Sequence, residues 1–274
     1  MTRTTAPFGR RMAVVTAREE HGAYVVIRAR DADGPVPRAG QFYMLSAAER
    51  WGGGEGERPF LPRAFSVLRA AAGTLDFLIE DVGPGTKRLS ELGPGEDLAL
   101  LGPLGNGFAR PREDRRPILV GGGVGIAPLA ILQDELRAGG TESRVLLGFR
   151  DESHAHGAAL LSAPTVATDD GSVGHHGLVT ELLEEELDGR GDDIEVYACG
   201  PPPMLEAVRA ICVDHDVPAQ LALESGMACG FGACFGCVVP TTDGYVRLCV
   251  DGPVLDAAIL QTAAAAAAVA GAGH

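Results

Sequence analysis

Residues 117–132 read PILVGGGVGIAPLAIL and join an apolar strand to a helix through a glycine-rich turn. The apolar run at 117–120 predicts the strand, and the apolar spacing at 127–137 predicts the helix. Glycines in such a turn let the backbone approach a phosphate, which the helix N-terminus also attracts. Pro128 replaces the third glycine of the dinucleotide fingerprint, so a purely structural turn is the alternative. The residues predicted to bind a nucleotide here are Gly122, Gly123 and Gly125.

The segments that follow alternate between strands and helices. Strands are predicted at 144–149, 165–168 and 194–198, and helices at 178–187 and 204–215. This alternation predicts an α/β domain whose parallel sheet is covered by helices on both faces. Cys199 and Gly200 follow the last strand, at the edge where such sheets bind ligands, and are predicted to contact the cofactor. Cys212 falls within a helix and is expected in the core.

Charged side chains after the strand at 144–149 bear on the choice of nucleotide. Arg150 could pair with a 2′-phosphate, whereas Asp151 and Glu152 favour an unphosphorylated ribose. The two acids favour NAD, with NADP as the alternative.

The chain before residue 112 shows a different pattern, in which Gly and Pro separate short strands. Six strands are predicted, at 13–16, 23–30, 41–46, 64–68, 75–80 and 97–101, with a short helix at 86–92. Together they predict a small antiparallel β-barrel. Residues 51–57, WGGGEGE, are expected to form a flexible loop. Gly85 and Thr86 precede or open the helix and predict either a phosphate site or an ordinary capped turn.

Four of the six cysteines lie within MACGFGACFGCVVPTTDGYVRLC, residues 227–249. Their spacing, C-x4-C-x2-C followed by a distant fourth cysteine, is that of plant-type [2Fe–2S] proteins. Glycines between them let the backbone curl around a cluster and turn N–H groups toward sulfur. A four-cysteine zinc site is the alternative, but zinc ribbons usually pair two short cysteine motifs. The predicted metal ligands are Cys229, Cys234, Cys237 and Cys249, the last on the far strand of a hairpin.

The composition restricts the class of protein. The chain has 274 residues, and 23 Lys and Arg against 37 Asp and Glu give a net charge of −14. That charge argues against nucleic-acid and anionic membrane partners. The N-terminus lacks the apolar region of a signal peptide, and the apolar run at 263–272 is shorter than the about 20 residues that span a bilayer. We therefore expect a cytoplasmic protein whose clustered cysteines bind metal rather than form disulfides.

No Ser-His-Asp or paired-carboxylate arrangement is evident, so no catalytic side chain is predicted. The histidine pairs His154/His156 and His175/His176 fall in polar segments and are expected on the solvated surface. This pattern favours a protein that positions and tunes cofactors over one that performs acid–base catalysis.

The order of the motifs resembles a known superfamily. RAFS at 63–66, GPGT at 83–86, GGGVGIAP at 121–128 and ACGPPPM at 198–204 follow one another as in the ferredoxin–NADP reductases. That superfamily joins a flavin-binding barrel to a nicotinamide-binding α/β domain. With the cysteine segment added, the chain resembles the electron-transfer subunits of NAD-dependent dihydroorotate dehydrogenases over about residues 10–256.

The resemblance implies a set of cofactors: FAD, a [2Fe–2S] cluster and NAD(H) as substrate. The residues it assigns to FAD are Arg63, Ala64, Phe65, Ser66, Leu78, Ile79, Glu80, Gly85 and Thr86, and the four cysteines match the cluster ligands one for one. Three features depart from the family pattern. Ala64 replaces a frequent proline, the loop at 51–57 looks inserted, and the alanine-rich tail has no counterpart.

The resemblance also implies a function. Such a subunit passes electrons between an FMN-containing dihydroorotate dehydrogenase catalytic subunit and NAD, through the [2Fe–2S] cluster and FAD, in pyrimidine biosynthesis. The two chains are expected to form a hetero-oligomer with two of each, with the cluster near their interface. Alternatives are a subunit of a ferredoxin-, sulfide- or hydrogenase-linked NAD(P)H oxidoreductase and a non-enzymatic, zinc-stabilised scaffold. The expected divisions are 8–112 for the barrel, 113–220 for the α/β domain, 221–256 for the small C-terminal cluster module and 257–274 for the tail.

Overall fold

The computed structural model describes residues 10–52, 59–188 and 193–263. Most of the loop expected at 51–57 and the alanine-rich tail from residue 264 therefore lie outside the described residues. The strands are β1 Arg11–His21, β2 Tyr24–Arg30, β3 Phe42–Ala47, β4 Arg63–Ala71, β5 Thr74–Glu80, β6 Asp97–Leu104, β7 Arg116–Gly122, β8 Arg144–Phe149, β9 Thr165–Thr168, β10 His175–His176, β11 Ile194–Cys199, β12 Ala219–Ala222, β13 Val238–Thr241, β14 Gly244–Arg247 and β15 Val254–Asp256. The helices are α1 Pro84–Ser90, α2 Ile126–Ala138, α3 Glu152–Ala155, α4 Val179–Leu187 and α5 Pro202–Asp214.

The first six strands close into an antiparallel barrel in the order β1-β2-β5-β4-β3-β6. Large apolar side chains fill its interior, and the Tyr43 and Phe77 rings pack edge to face at 5.6 Å. Such aromatic pairs contribute about 0.5–1.5 kcal/mol beyond the burial of their area. The predicted barrel is confirmed.

The barrel is open between β4 and β5 at one end. Within the described residues, β4 pairs with β5 from Val67 to Ala71, while residues 63–66 pair only with β3 on the other side. Residues 78–80 of β5 likewise pair with β2. Two stretches of backbone thus face each other without a shared ladder, which leaves their polar groups free for a ligand.

The second half of the chain forms a seven-stranded sheet in the order β10-β9-β8-β7-β11-β12-β15. All neighbouring pairs are parallel except β12 and β15, which run antiparallel. Strand β7 is buried along nearly its whole length, as expected for a parallel strand covered on both faces. The predicted α/β domain is confirmed.

The cysteine segment interrupts this sheet instead of following it. The expected module at 221–256 begins within β12 and ends with β15, and both of these strands belong to the sheet. Leu223 N donates to Pro253 O at 2.9 Å, so the two ends of the inserted segment meet. Strands β13 and β14 form a separate hairpin inside it.

The inserted segment packs against the barrel as well as the sheet. Its buried residues Leu248 and Cys249 share a core cluster with Phe42, Met44 and Leu104 of the barrel. One core therefore joins all three parts of the molecule. Among the helices in the described part of the chain, none has the length and apolar character needed to cross a membrane.

Candidate functional site

The four clustered cysteines lie in two pairs, and all are free thiols. Cys237 Sγ is 3.2 Å from Cys249 Sγ, and both residues are buried. The Cys234 thiol donates to the sulfur of Cys229. Cys249 lies in the turn that follows β14, not on the hairpin strand as expected, because Val250 N and Asp251 N donate to Arg247 O and turn the chain at the end of that strand.

Backbone N–H groups of the cysteine loop point at sulfur. Burial alone would raise the pKa of Cys229, but hydrogen bonds from the N–H groups of Cys234, Phe231 and Ala233 lower it to about 6. Burial raises the pKa of Cys249 to about 12. N–H donors of this kind stabilise thiolates, which are the form that binds metal.

The paired arrangement distinguishes between the two candidate metal sites. A structural zinc ion needs four ligands around one point. Among the residues that the structure describes, no three His, Cys, Asp or Glu side chains converge on a point that could hold one metal ion. A two-iron cluster is larger and takes its four thiolates as two pairs, one on each iron. The pairs Cys229/Cys234 and Cys237/Cys249 fit the cluster better than the single ion.

The residues that the resemblance assigns to flavin come together at the open end of the barrel. A Cβ atom on Gly85 would lie 2.7 Å from Arg63 Nε, so the guanidinium group packs directly on this glycine. The same guanidinium group lies 5.9 Å from the centre of the Trp51 ring. Trp51 Nε1 is buried and has no hydrogen-bond partner among the described residues. A fixed cation beside an unpaired N–H group makes a cradle that fits an anionic cofactor.

The other predicted flavin residues surround this cradle. Ala64 and Ser66 lie on β4 beside the gap, while Phe65 packs on the barrel core. Leu78 and Ile79 bury their side chains, so only their backbone groups can face a ligand. Thr86 Oγ1 accepts from Val82 N and donates to Gly83 O, so the hydroxyl group is bonded within its own turn. The helix has no side-chain N-cap at Gly83.

A cleft of about 600 Å³ lies between the barrel and the carboxyl ends of the parallel strands. Its walls include the predicted residues Gly122, Gly123 and Glu80. A Cβ atom on Gly122 would lie 2.5 Å from Met204 Sδ and 3.0 Å from Pro201 Cδ, so this wall packs closely on the start of α5.

Three other predicted nucleotide residues lie beneath the cleft and do not line it. A Cβ atom on Gly125 would lie 2.5 Å from Cys199 O, and one on Gly200 would lie 2.6 Å from Met204 Cε. Both glycines therefore allow close packing of helix against strand. Cys199 is 3% exposed, and burial together with the charge of Glu224 raises the pKa of its thiol.

The expectation that His154 is a solvated surface residue is wrong. Its side chain is 14% exposed and lies 3.3 Å from Glu80 Oε1, and its Nδ1 is 2.7 Å from Asp151 Oδ1. Arg150 Nη2 also donates to Glu80 Oε1, at 2.6 Å. These four side chains connect the barrel to the α/β domain at the cleft. Arg150 thus forms an ion pair with the Glu80 carboxylate.

Three residues of the cleft carry polar groups that the sequence did not single out. The Tyr24 hydroxyl is buried, has no partner among the described residues, and lies near Gly123. Asp169 follows β9 and lines the cleft. Glu224 lines the cleft as an exposed residue, and desolvation by the surrounding protein raises the pKa of its carboxyl group. Only Asp169 had a local signal, since an acid after a parallel strand often meets a ribose.

Two family models match parts of the chain. Residues 224–261 match the family model of the iron-sulfur cluster binding domain of dihydroorotate dehydrogenase B. Residues 119–210 match the oxidoreductase NAD-binding domain. A solved structure from work on flavin-based electron bifurcation by the NADH-dependent reduced ferredoxin-NADP oxidoreductase has a TM-score of 0.79 at 23% identity, covering 96% of this chain and 95% of that one.

Two curated relatives carry the same description. A protein of Caldanaerobacter subterraneus subsp. tengcongensis is 39% identical over 81% of this chain and 86% of its own length. One of Geobacillus sp. (strain WCH70) is 40% identical over 73% of this chain and 79% of its own length. Each is described as a dihydroorotate dehydrogenase B (NAD(+)), electron transfer subunit.

The barrel, the parallel sheet and the inserted iron–sulfur segment define an NAD-linked oxidoreductase subunit with a ferredoxin reductase-like fold. Within that class, the identity to the curated relatives is decisive. The chain belongs to the family of dihydroorotate dehydrogenase B (NAD(+)) electron transfer subunits.

Proposed function

We propose that this chain passes electrons between an FMN-containing dihydroorotate dehydrogenase catalytic subunit and NAD, through a [2Fe–2S] cluster and FAD, in pyrimidine biosynthesis. One contact carries the proposal. A Cβ atom on Gly230 would lie 2.5 Å from Met44 Cγ, so the cysteine loop rests on β3. Met44 is the register partner of Ala64 on the flavin strand. A single residue of β3 thus lies between the two proposed cofactor sites.

The proposed flavin site consists of Arg63 to Ser66, residues 78–80 and the Gly85-Thr86 pair. When bound, flavin exchanges an electron pair with a nicotinamide and single electrons with an iron–sulfur cluster, which neither of those groups can do for the other. The chain supplies the Arg63 cation beside Gly85 and the unpaired backbone edges of β4 and β5. These groups bind and orient the cofactor; none of them has to move a proton.

The proposed nicotinamide site is the cleft above Gly122 and Gly123. Asp169 supplies an acid where a ribose would lie, and Arg150 is neutralised by Glu80 at 2.6 Å. Both observations favour NAD over NADP, because a 2′-phosphate would meet the Asp169 acid and would have to compete with Glu80 for Arg150. Gly125, Cys199 and Gly200 support this site from beneath, by packing the sheet against α2 and α5.

The proposed cluster ligands are Cys229, Cys234, Cys237 and Cys249. Four free thiols suit a reducing compartment, which agrees with function in the cytoplasm. We propose the divisions at 8–112, 113–220, 221–256 and 257–274 as functional units, although the ends of the third one, in β12 and β15, belong to the sheet of the second. Cys234 and Phe235 are exposed, which leaves one side of the loop open to a partner. A catalytic subunit that carries FMN, in an assembly with two of each chain, is proposed to approach from that side.

The test uses the purified full chain with its cofactors loaded. NADH should bleach the flavin absorption and then reduce the cluster in the chain alone. Addition of dihydroorotate should reduce the same two cofactors only when the FMN-containing subunit is present. NADPH should be a much poorer donor. A chain that oxidises dihydroorotate without a partner, or a complex in which dihydroorotate leaves the cluster oxidised, contradicts the proposal.

A further inference from the structure

Arg247 connects the hairpin to the cysteine loop. It ends β14, two residues before Cys249. Its Nη1 donates to Gly232 O at 3.1 Å, and its guanidinium group lies 5.3 Å from the centre of the Phe235 ring. Its side chain is 29% exposed, so the contacts are partly shielded from water. One side chain thus holds both the first and the second half of the loop.

Gly232 relays this contact to a cysteine. Its φ of +87° lies in the left-handed region, and a Cβ atom there would lie 2.7 Å from Val250 Cγ2. Its N–H group donates to the sulfur of Cys249, while its carbonyl oxygen accepts from Arg247. Both polar backbone groups of Gly232 are therefore used, one on each side of the loop.

Asp251 fixes the guanidinium group in turn. Its Oδ2 lies 3.7 Å from Arg247 Nε and accepts from Arg247 N at 3.0 Å. Asp251 N donates back to Arg247 O at 2.7 Å. The two backbone hydrogen bonds hold Asp251 beside Arg247, and the ion pair at 3.7 Å favours a guanidinium group on this side of the loop.

We propose that Arg247 is a positioning residue for the iron–sulfur cluster: it closes the cysteine loop around the cluster and places a positive charge beside it. The inference rests on the proposed iron–sulfur site. Arginine suits both parts of the role. Its planar group bonds the carbonyl and covers the aromatic ring at once, which a lysine cannot do. Its charge stabilises the more negative, reduced cluster and so raises the midpoint potential.

Two substitutions separate the two parts of the role. Arg247→Lys keeps the charge but loses the planar group, and Arg247→Met keeps a long stem without charge. Both should lose the cluster faster than the wild type when a chelator is added. A factor of about ten corresponds to the loss of one charge-assisted hydrogen bond. Only Arg247→Met should shift the midpoint potential of the cluster to a more negative value, because only this variant removes the positive charge.

The experiment measures iron and acid-labile sulfide, the decay of cluster absorption under chelator, and the potential by redox titration. Tyr245→Ser is the matched control, since Tyr245 lies on the same strand and is 78% exposed. If Arg247→Met cannot be purified with a cluster, the inference is tested by the rate at which Arg247→Lys loses its cluster under chelator. Variants that match Tyr245→Ser in both decay rate and potential overturn the inference. A wild-type chain that takes up no iron and sulfide contradicts the proposed function instead.

Discussion

The absence of a side chain at Gly85 leaves room for the guanidinium group of Arg63. The Arg63 guanidinium group occupies the space that a Cβ atom on Gly85 would need. The first prediction is that Gly85→Ala displaces Arg63 and weakens FAD binding about tenfold, which corresponds to about 1.4 kcal/mol. Fluorescence titration of the apoprotein with FAD measures the affinity. Gly83→Ala is the control, because a Cβ atom there meets nothing within 4 Å. Equal affinities for the two variants would contradict the role of Arg63.

Cys237 and Cys212 are both buried, yet only the first has a sulfur partner. We predict that Cys237→Ser abolishes the cluster absorption and the acid-labile sulfide, since a hydroxyl group cannot replace the thiolate at neutral pH. Cys212→Ala should keep both. Burial raises the pKa of Cys212 to about 12, as expected for a core thiol without a metal. A Cys237→Ser chain with wild-type iron and sulfide content would remove this residue from the ligand set.

At the scale of elements, α5 is tied to the end of the described chain through Glu206. Its carboxylate accepts from Arg209, from Thr262 Oγ1 at 2.8 Å and from Ala263 N at 2.6 Å. The hydrogen bond from Arg209 is the largest effect, and with the other two it lowers the pKa of Glu206 from 4.5 to about 2. Because the folded-state pKa is depressed, the stabilisation is complete above pH 4.5 and is lost as the pH falls through about 2.

This carboxylate gives the third prediction. Glu206→Gln should lower Tm at pH 7 by about 2–4 °C, the shift expected for about 1 kcal/mol in a chain of this size. The difference from the wild type should shrink below pH 4.5 and vanish near pH 2. Thermal unfolding followed by circular dichroism across that range measures it. Glu185→Gln on the exposed side of α4 is the control and should change little. A pH-independent difference would assign the effect to packing.

The sequence predicted strands correctly where a run of apolar residues marks them locally. It missed strands that are recognisable only by pairing with a distant part of the chain. The strands at 144–149 and 165–168 agree residue for residue with β8 and β9. Strands β12 and β15 were missed, and the antiparallel pair that they form joins residues on opposite sides of the cysteine segment, so no local pattern marks it. The cysteine spacing similarly predicted a two-iron site from local sequence alone. The role of His154 could not be predicted in this way, since its Glu80 partner is 74 residues away on the barrel.

At the scale of the whole molecule, the contact between Gly230 and Met44 is the proposed electron route between the cluster and the flavin. The fourth prediction is that Gly230→Ala slows that transfer, because the new methyl group would push the loop away from β3. It would also strain a residue with φ of +78°. In stopped-flow experiments, NADH should reduce the flavin at the wild-type rate while the cluster is reduced several-fold more slowly.

Gly226→Ala is the control for this route. It lies in the same inserted segment, and a Cβ atom there meets nothing within 4 Å. Rates are compared only for protein with full iron content. If the cluster of Gly230→Ala is reduced at the wild-type rate, the contact between Gly230 and Met44 is not the electron route.

The hydrogen bond between Leu223 and Pro253 has an evolutionary consequence. Since the ends of the insertion meet between two antiparallel strands, we expect that the 29 residues 224–252 can be replaced by a short glycine-containing loop that keeps the bond from Leu223 N to Pro253 O. We predict that such a chain still oxidises NADH with ferricyanide as acceptor but carries no iron. Failure of this chain to bind FAD would show that the insertion also supports the barrel. On this view, one insertion between β12 and β15 adds a one-electron iron–sulfur cluster to a reductase that otherwise transfers electron pairs, and one deletion removes it.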